Sequence, residues 1–127
     1  RLVAAFDGGR ISSEGGLPLL AAVERQSHLL ERFAACFVDS RDPTYVEHPV
    51  ERLVAQRVLG LVLGYEDLVD HDELRSDPLL AAVVGASDPL GRDRRQARDQ
   101  GQPLAGKSTL NRMESGPRDE ISSGVLQ

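Results

Sequence analysis

The strongest limit on what this chain can fold into is its shortage of aromatic side chains. It has no Trp, three Phe and two Tyr in 127 residues. With 40% of residues apolar, a core can form, but it must be assembled from Leu, Val and Ala. That mix favours helices packed on helices, whereas a β-sandwich fills its inner faces with β-branched and aromatic residues. The expected class is mainly α, with about five or six short helices. One short strand is allowed over LVAAF near the N-terminus, and an irregular basic loop is expected near residues 86–107.

Turn and cap residues divide the chain. DGGRISSEGG is a loop by composition. LPLLAAVERQ reads as a helix with Pro18 in its first turn, where the missing N–H costs nothing. Ser27 is placed to cap HLLERFAACF, whose Leu29, Leu30, Phe33 and Phe37 share the spacing of one buried face and make Cys36 a core thiol. Pro49 opens a third helix in which Val50, Leu53, Val54, Arg57, Val58, Leu61 and Val62 form one broad stripe, and Gly64 ends it. YEDLVDHDELR reads as a short acidic helix anchored by Leu68 and Leu74. Asp77-Pro78 caps LLAAVV and Gly85 closes it. Residues 86–107 read as a loop with one turn at RRQAR, and Ser108 is placed to cap TLNRME.

The formal charge of −5 is unevenly spread. Residues 1–91 carry −7, residues 92–118 carry +4, and the last nine carry −2. The organisation expected is an acidic helical body over 1–91, a basic loop and short helix over 92–118, and a flexible tail over 119–127. Positive charge concentrated in GRDRRQARDQ and GKSTLNR attracts phosphates whatever the total charge, through Coulomb attraction and counterion release. A solvated polar connector would explain the same letters. No apolar run approaches the ~20 residues that span a bilayer. The N-terminus does not read as a secretory signal, and the single cysteine, Cys36, provides neither a disulfide framework nor a multi-cysteine zinc site. The expected location is the cytoplasm, with no membrane partner.

Three constellations invite chemistry. GQPLAGKS, Gly101 to Ser108, matches the phosphate-cradling pattern GxxxxGK[ST]. Yet the segment leading into it, RRQARDQ, is no buried strand, and Pro103 removes an amide from the loop. Asp67, Asp70 and His71 would share one helical face and could ligate a divalent metal. Acidic residues complementing a helix dipole explain the same letters, and that structural reading is the preferred one, so no metal ligand is assigned. Asp7, Asp39 and Asp42 lie at loops, and Asp39 and Asp42 with Pro43 read as turn chemistry.

Taken in order, FDGGRISSEGG, RFAACFVDSRDPTYVEH, QRVLGLVLGYEDLVDHDELRSDPLL and DPLGRDRRQARDQGQPLAGKSTLNRME resemble the N-terminal region of DDE-type transposases of bacterial insertion sequences, specifically the insertion sequence thirteen-eighty group. The resemblance runs over residues 6–114, and GYEDLVDHDELRSDP and LAGKSTLNRME are its most specific parts. It implies a protein that acts on DNA at insertion-sequence ends through a ribonuclease-H-like catalytic domain and a divalent metal, usually magnesium. The family's triad of two Asp and one Glu belongs to segments beyond the LNRLE-like motif. No triad position is therefore carried onto this sequence, no cofactor is expected in this stretch, and the catalytic domain is expected to be absent from it. The resemblance also makes GKSTLNR a transposase segment and not an ATPase loop.

The leading expectation is a non-catalytic N-terminal part of a transposase that binds DNA, nucleoid-associated when bound. Arg92, Arg94, Arg95, Arg98, Lys107 and Arg112 are the candidates for phosphate contact, on the basis of local charge. A second expectation, from a different class, is a protein-interaction module. It would form a homo-oligomer or pack on its own catalytic domain, and would carry an exposed apolar patch. A third, a small nucleotide binder, rests on the GxxxxGK[ST] match alone.

Overall fold

A computed structural model describes residues 3, 5, 7–8, 11–39 and 41–115. The strand expected over LVAAF rests on residues 2, 4 and 6, which lie outside the described residues, as does the tail at 119–127. Among the described residues there are six α-helices and no strand: α1 (Leu17–Ser27), α2 (Leu29–Ala34), α3 (Val50–Val62), α4 (His71–Leu74), α5 (Pro78–Val83) and α6 (Lys107–Ser115). Single 3₁₀ turns lie at Pro43–Tyr45, Leu68–Asp70 and Ala97–Asp99.

The core is aliphatic, as the composition requires. One cluster gathers Leu17, Leu59, Leu74, Leu80, Ala81 and Leu104; a second gathers Leu53, Ala105 and Leu110. Both draw on α3 and on the adjacent pair Leu104-Ala105, so the segment entering α6 is stitched into the helical body from two sides. A fully buried leucine stabilises by roughly 1.5–3 kcal/mol, which makes Leu104 and Leu110, both 0% exposed, strong anchors for a stretch otherwise rich in charge.

Several elements follow the local signals. α1 has Pro18 in its first turn, α3 begins directly after Pro49, and α5 is capped by Asp77, whose carboxylate accepts from the N–H groups of Leu79 and Leu80. Asp39 pairs with Arg41 and Asp42 caps the turn at Thr44, the turn chemistry expected of them.

Other elements depart from expectation. α2 stops at Ala34, and Phe33 and Phe37 are 48% and 39% exposed, packed edge to face on each other with centroids 5.3 Å apart. Cys36 lies beyond the helix and is exposed, so it is no core thiol. Ser27 ends α1, and its hydroxyl accepts from the Leu29 N–H at 3.4 Å at the start of α2. The orphan amides of Leu30 and Glu31 are met by the Glu24 carboxylate at 2.9 and 3.1 Å, six and seven residues upstream. The buried face of α3 includes Gln56 and Gly60, while Leu61 and Val62 turn outward. The acidic helix breaks into the Leu68–Asp70 turn and the one-turn α4. Ser108 sits inside α6, one residue past its start.

Candidate nucleic-acid interface

The two most specific sequence segments meet across α3. Gln56, fully buried, donates through Nε2 to the Ala105 carbonyl at 2.8 Å and accepts at Oε1 from the Ala105 N–H at 3.2 Å. The same Nε2 lies 3.1 Å from Nδ1 of His71, which is also fully buried. A ring nitrogen that accepts from an amide is unprotonated, so the His71 proton sits on Nε2. Burial pushes the His71 pKa down, with the Arg57 charge adding to the effect. The far edge of the ring packs against Gly60, where a Cβ would come within 2.8 Å of Cε1. Only glycine permits that approach of α3 to α4.

Asp72 completes the junction. Its Oδ1 accepts from the Lys107 N–H at 2.8 Å at the start of α6, the position expected of Ser108. The Arg75 carbonyl accepts from the Leu104 N–H at 3.1 Å. At the other end of α6, Arg57 bonds Glu114 at 2.6 Å and reaches the carbonyls of Tyr65 and Glu66. The acidic segment and the GKS segment are therefore two halves of one polar joint, buried at Gln56, His71 and Ala105 and exposed at Asp72 and Glu114.

This geometry overturns the nucleotide reading. Pro103, Leu104, Ala105 and Gly106 are buried, and the Lys107 amide that would meet a phosphate is held by Asp72. The metal face also disperses, since Asp67 caps Val69 while His71 faces Gln56. Among the described residues no group of three or more His, Cys, Asp or Glu side chains converges as a metal site.

A second set of buried charges folds the basic loop. Arg94, with its side chain 8% exposed, pairs with Glu47 at 2.9 Å and Asp99 at 3.4 Å, and donates to the carbonyls of Gln102 and Leu104. Glu47 also accepts from the Arg95 N–H at 3.2 Å. Burial raises the Glu47 pKa, but the hydrogen bond and charge of Arg94 outweigh it and hold the carboxyl below its ordinary value. Asp99 further pairs with Arg75 at 3.4 Å. The loop closes where Gly91, at φ +69°, lies so close to the backbone of 101–103 that a Cβ would sit 2.7 Å from the Gln102 nitrogen.

The six candidate cations are thus unequally placed. Arg94 faces inward and its charge is met by two carboxylates. Arg92 is exposed and reaches Asp88 at 3.1 Å. Arg95 and Arg98 are exposed, the Arg95 guanidinium resting on the Thr44 carbonyl. Arg75 holds the turn carrying Arg98 near the helix start carrying Lys107, because it pairs with Asp99 and lies against Gly106. Arg112 is exposed five residues along α6 from Lys107, about 140° around the helix, so these two face different ways. Sequence reasoning missed Gln56, His48 and Arg52. The signal for Gln56 was an uncharged polar residue between Leu53 and Leu59 on an otherwise apolar face, which marks a buried hydrogen-bonded network.

A model of the family described as transposase DDE domain group 1 matches residues 1–123, and the chain belongs to that family. Searches of curated proteins and of solved structures return no match. Family membership carries a transposase-related function and, for the whole enzyme, a divalent metal. The described carboxylates do not fit as its ligand set, because no three of them come together with one another or with His or Cys side chains. No helix among the described residues is long and apolar enough to cross a membrane.

Proposed function

We propose that this chain is a DNA-contacting, non-catalytic part of a DDE transposase of an insertion sequence, in which the clamped basic loop grips the phosphate backbone of the element ends. The observation that carries the reading is the division of labour among neighbouring arginines. Arg94 is spent on Glu47 and Asp99 and fixes the loop, leaving Arg92, Arg95 and Arg98 exposed on it. A rigid support for exposed cations lowers the ordering cost of binding a polyanion. Lys107 and Arg112 extend the contact set, and Arg94 acts within it only as a positioning residue.

The test is duplex DNA binding over a range of salt for the parent and for Arg92→Gln/Arg95→Gln/Arg98→Gln. Neutralising one phosphate-binding cation lowers the slope of log affinity against log salt by about 0.9. A fall of about two to three units is expected for the triple variant, and an unchanged slope would remove the loop from the interface.

A second reading is favoured by the α1–α2 surface. Leu19, Val23 and Leu29 on α1 and α2 are 74%, 61% and 63% exposed, and Val38 beyond them is 93% exposed. Apolar groups left in water on this scale suit a protein surface, such as a second copy or the transposase's own catalytic domain.

A further inference from the structure

Between the 46–48 segment, α3 and the loop lies a cleft of about 150 Å³, lined among others by His48, Arg52, Asp93, Arg94 and Arg95. Two side chains on its wall hold buried polar atoms with no hydrogen-bond partner, Nδ1 of His48 and Nε of Arg94. His48 is 6% exposed and the Arg94 side chain 8%. An orphaned buried polar atom is costly and calls for an explanation. Both atoms lie in the wall of the cleft and not on its open surface, so what the cleft can hold is set by the groups that line it.

The charges around the cleft say what kind of group. Glu47 is paired with Arg94 and Asp88 with Arg92. That leaves the guanidiniums of Arg52 and Arg95 against the carboxylate of Asp93, which itself accepts from the Ser87 hydroxyl at 2.7 Å. Neither Arg52 nor Arg95 has a carboxylate partner among the described residues. Each is instead steadied by a backbone carbonyl, Gly85 at 3.3 Å and Thr44 at 2.9 Å, which occupies one donor and leaves others of the guanidinium fork free. Burial first, and then the charges of Arg94, Arg52 and Arg75 against the opposing charge of Glu47, hold the His48 pKa at about 4, so the ring is neutral.

We infer that this cleft is a seat for a single phosphate group, held between Arg52 and Arg95 over the His48 ring. Such a group is either one backbone phosphate of bound DNA or a free phosphate. The first source rests on the DNA-contacting reading above, and the second does not. Planar guanidinium forks match a tetrahedral oxyanion better than ammonium groups do.

The experiment titrates the protein with inorganic phosphate while following the His48 ring resonances by NMR, then repeats the titration in the presence of duplex DNA. Saturable movement of those resonances is expected. It should weaken at least tenfold in Arg52→Gln and in Arg95→Gln and persist in the distant control Arg25→Gln, with melting temperature confirming that each variant folds. Displacement of phosphate by DNA assigns the seat to the DNA backbone, and simultaneous binding assigns it to free phosphate. If phosphate leaves His48 unmoved and Arg52→Gln leaves DNA affinity unchanged, the seat is refuted, whether or not DNA binds the loop. Absence of DNA binding, with phosphate still bound, would instead remove the DNA reading alone.

Discussion

The α3–α4–α6 joint and the α1–α2 face use the same alphabet in opposite ways. At the joint, Gln56 and His71 are completely buried; Gln56 spends its amide on Ala105 and on Nδ1 of His71, while Nε2 of His71 has no partner among the described residues. On the α1–α2 face, Leu29 and Phe33 sit largely in water. Although the core itself is aliphatic, burial at these two places does not follow hydrophobicity alone. It follows which segments the hydrogen-bonding groups bring together, and the joint orders the chain's charged half while the apolar face lies open.

That contrast can be broken from either side, and the largest effect should come from the charged clamp. Arg94→Met leaves Glu47 with only the Arg95 N–H and Asp99 with only Arg75, and their side chains are just 24% and 16% exposed. Removing one partner of a buried ion pair costs roughly 3–5 kcal/mol, and the partial exposure places this one near about 3. Urea unfolding should show that loss. At the joint, Gln56→Leu leaves the Ala105 N–H and carbonyl and the His71 Nδ1 without partners, and about 2–3 kcal/mol is expected in the same measurement. Acidification should weaken the structure in a defined window. Folded His48 resists protonation until about pH 4, whereas the unfolded chain takes that proton near 6.5. The unfolded state therefore binds more protons between these values, and the melting temperature should fall as pH drops from about 6.5 toward 4. Glu47, held ionised by Arg94, loses its contribution in the same direction. The smallest effect belongs to the open face: Phe33→Ser removes only an exposed edge-to-face pairing, so a cost below about 1 kcal/mol is expected. A cost as large as that of Gln56→Leu would mean that the face is not open.

Helix positions set by local chemistry were legible in the sequence. Pro18, Pro49 and Asp77 mark their helix starts because a cap or a fixed φ acts within a few residues. What was not legible is what depends on partners far along the chain. Asp72 caps a helix 35 residues away, displacing the nearby Ser108 from that role. Arg94 resembles its neighbours in sequence and differs from them because its guanidinium meets Glu47, Asp99 and the carbonyls of Gln102 and Leu104. The stripe on α2 has sound helical spacing, yet the helix ends at Ala34 and no described element covers Phe33 and Phe37. Motif spacing pointed to metal and nucleotide chemistry where the fold uses the same side chains as internal fasteners.

The central claim is that neighbouring arginines divide into one that holds the loop and several that hold DNA. Measuring both unfolding free energy and the salt slope of duplex binding for Arg94→Met and for Arg92→Gln/Arg95→Gln/Arg98→Gln tests it most directly. The division predicts a large stability loss confined to Arg94→Met, and a slope reduced by about two to three units with little stability loss in the triple variant. Equal slopes in parent and triple variant, or a stable Arg94→Met that alone loses DNA binding, would contradict it.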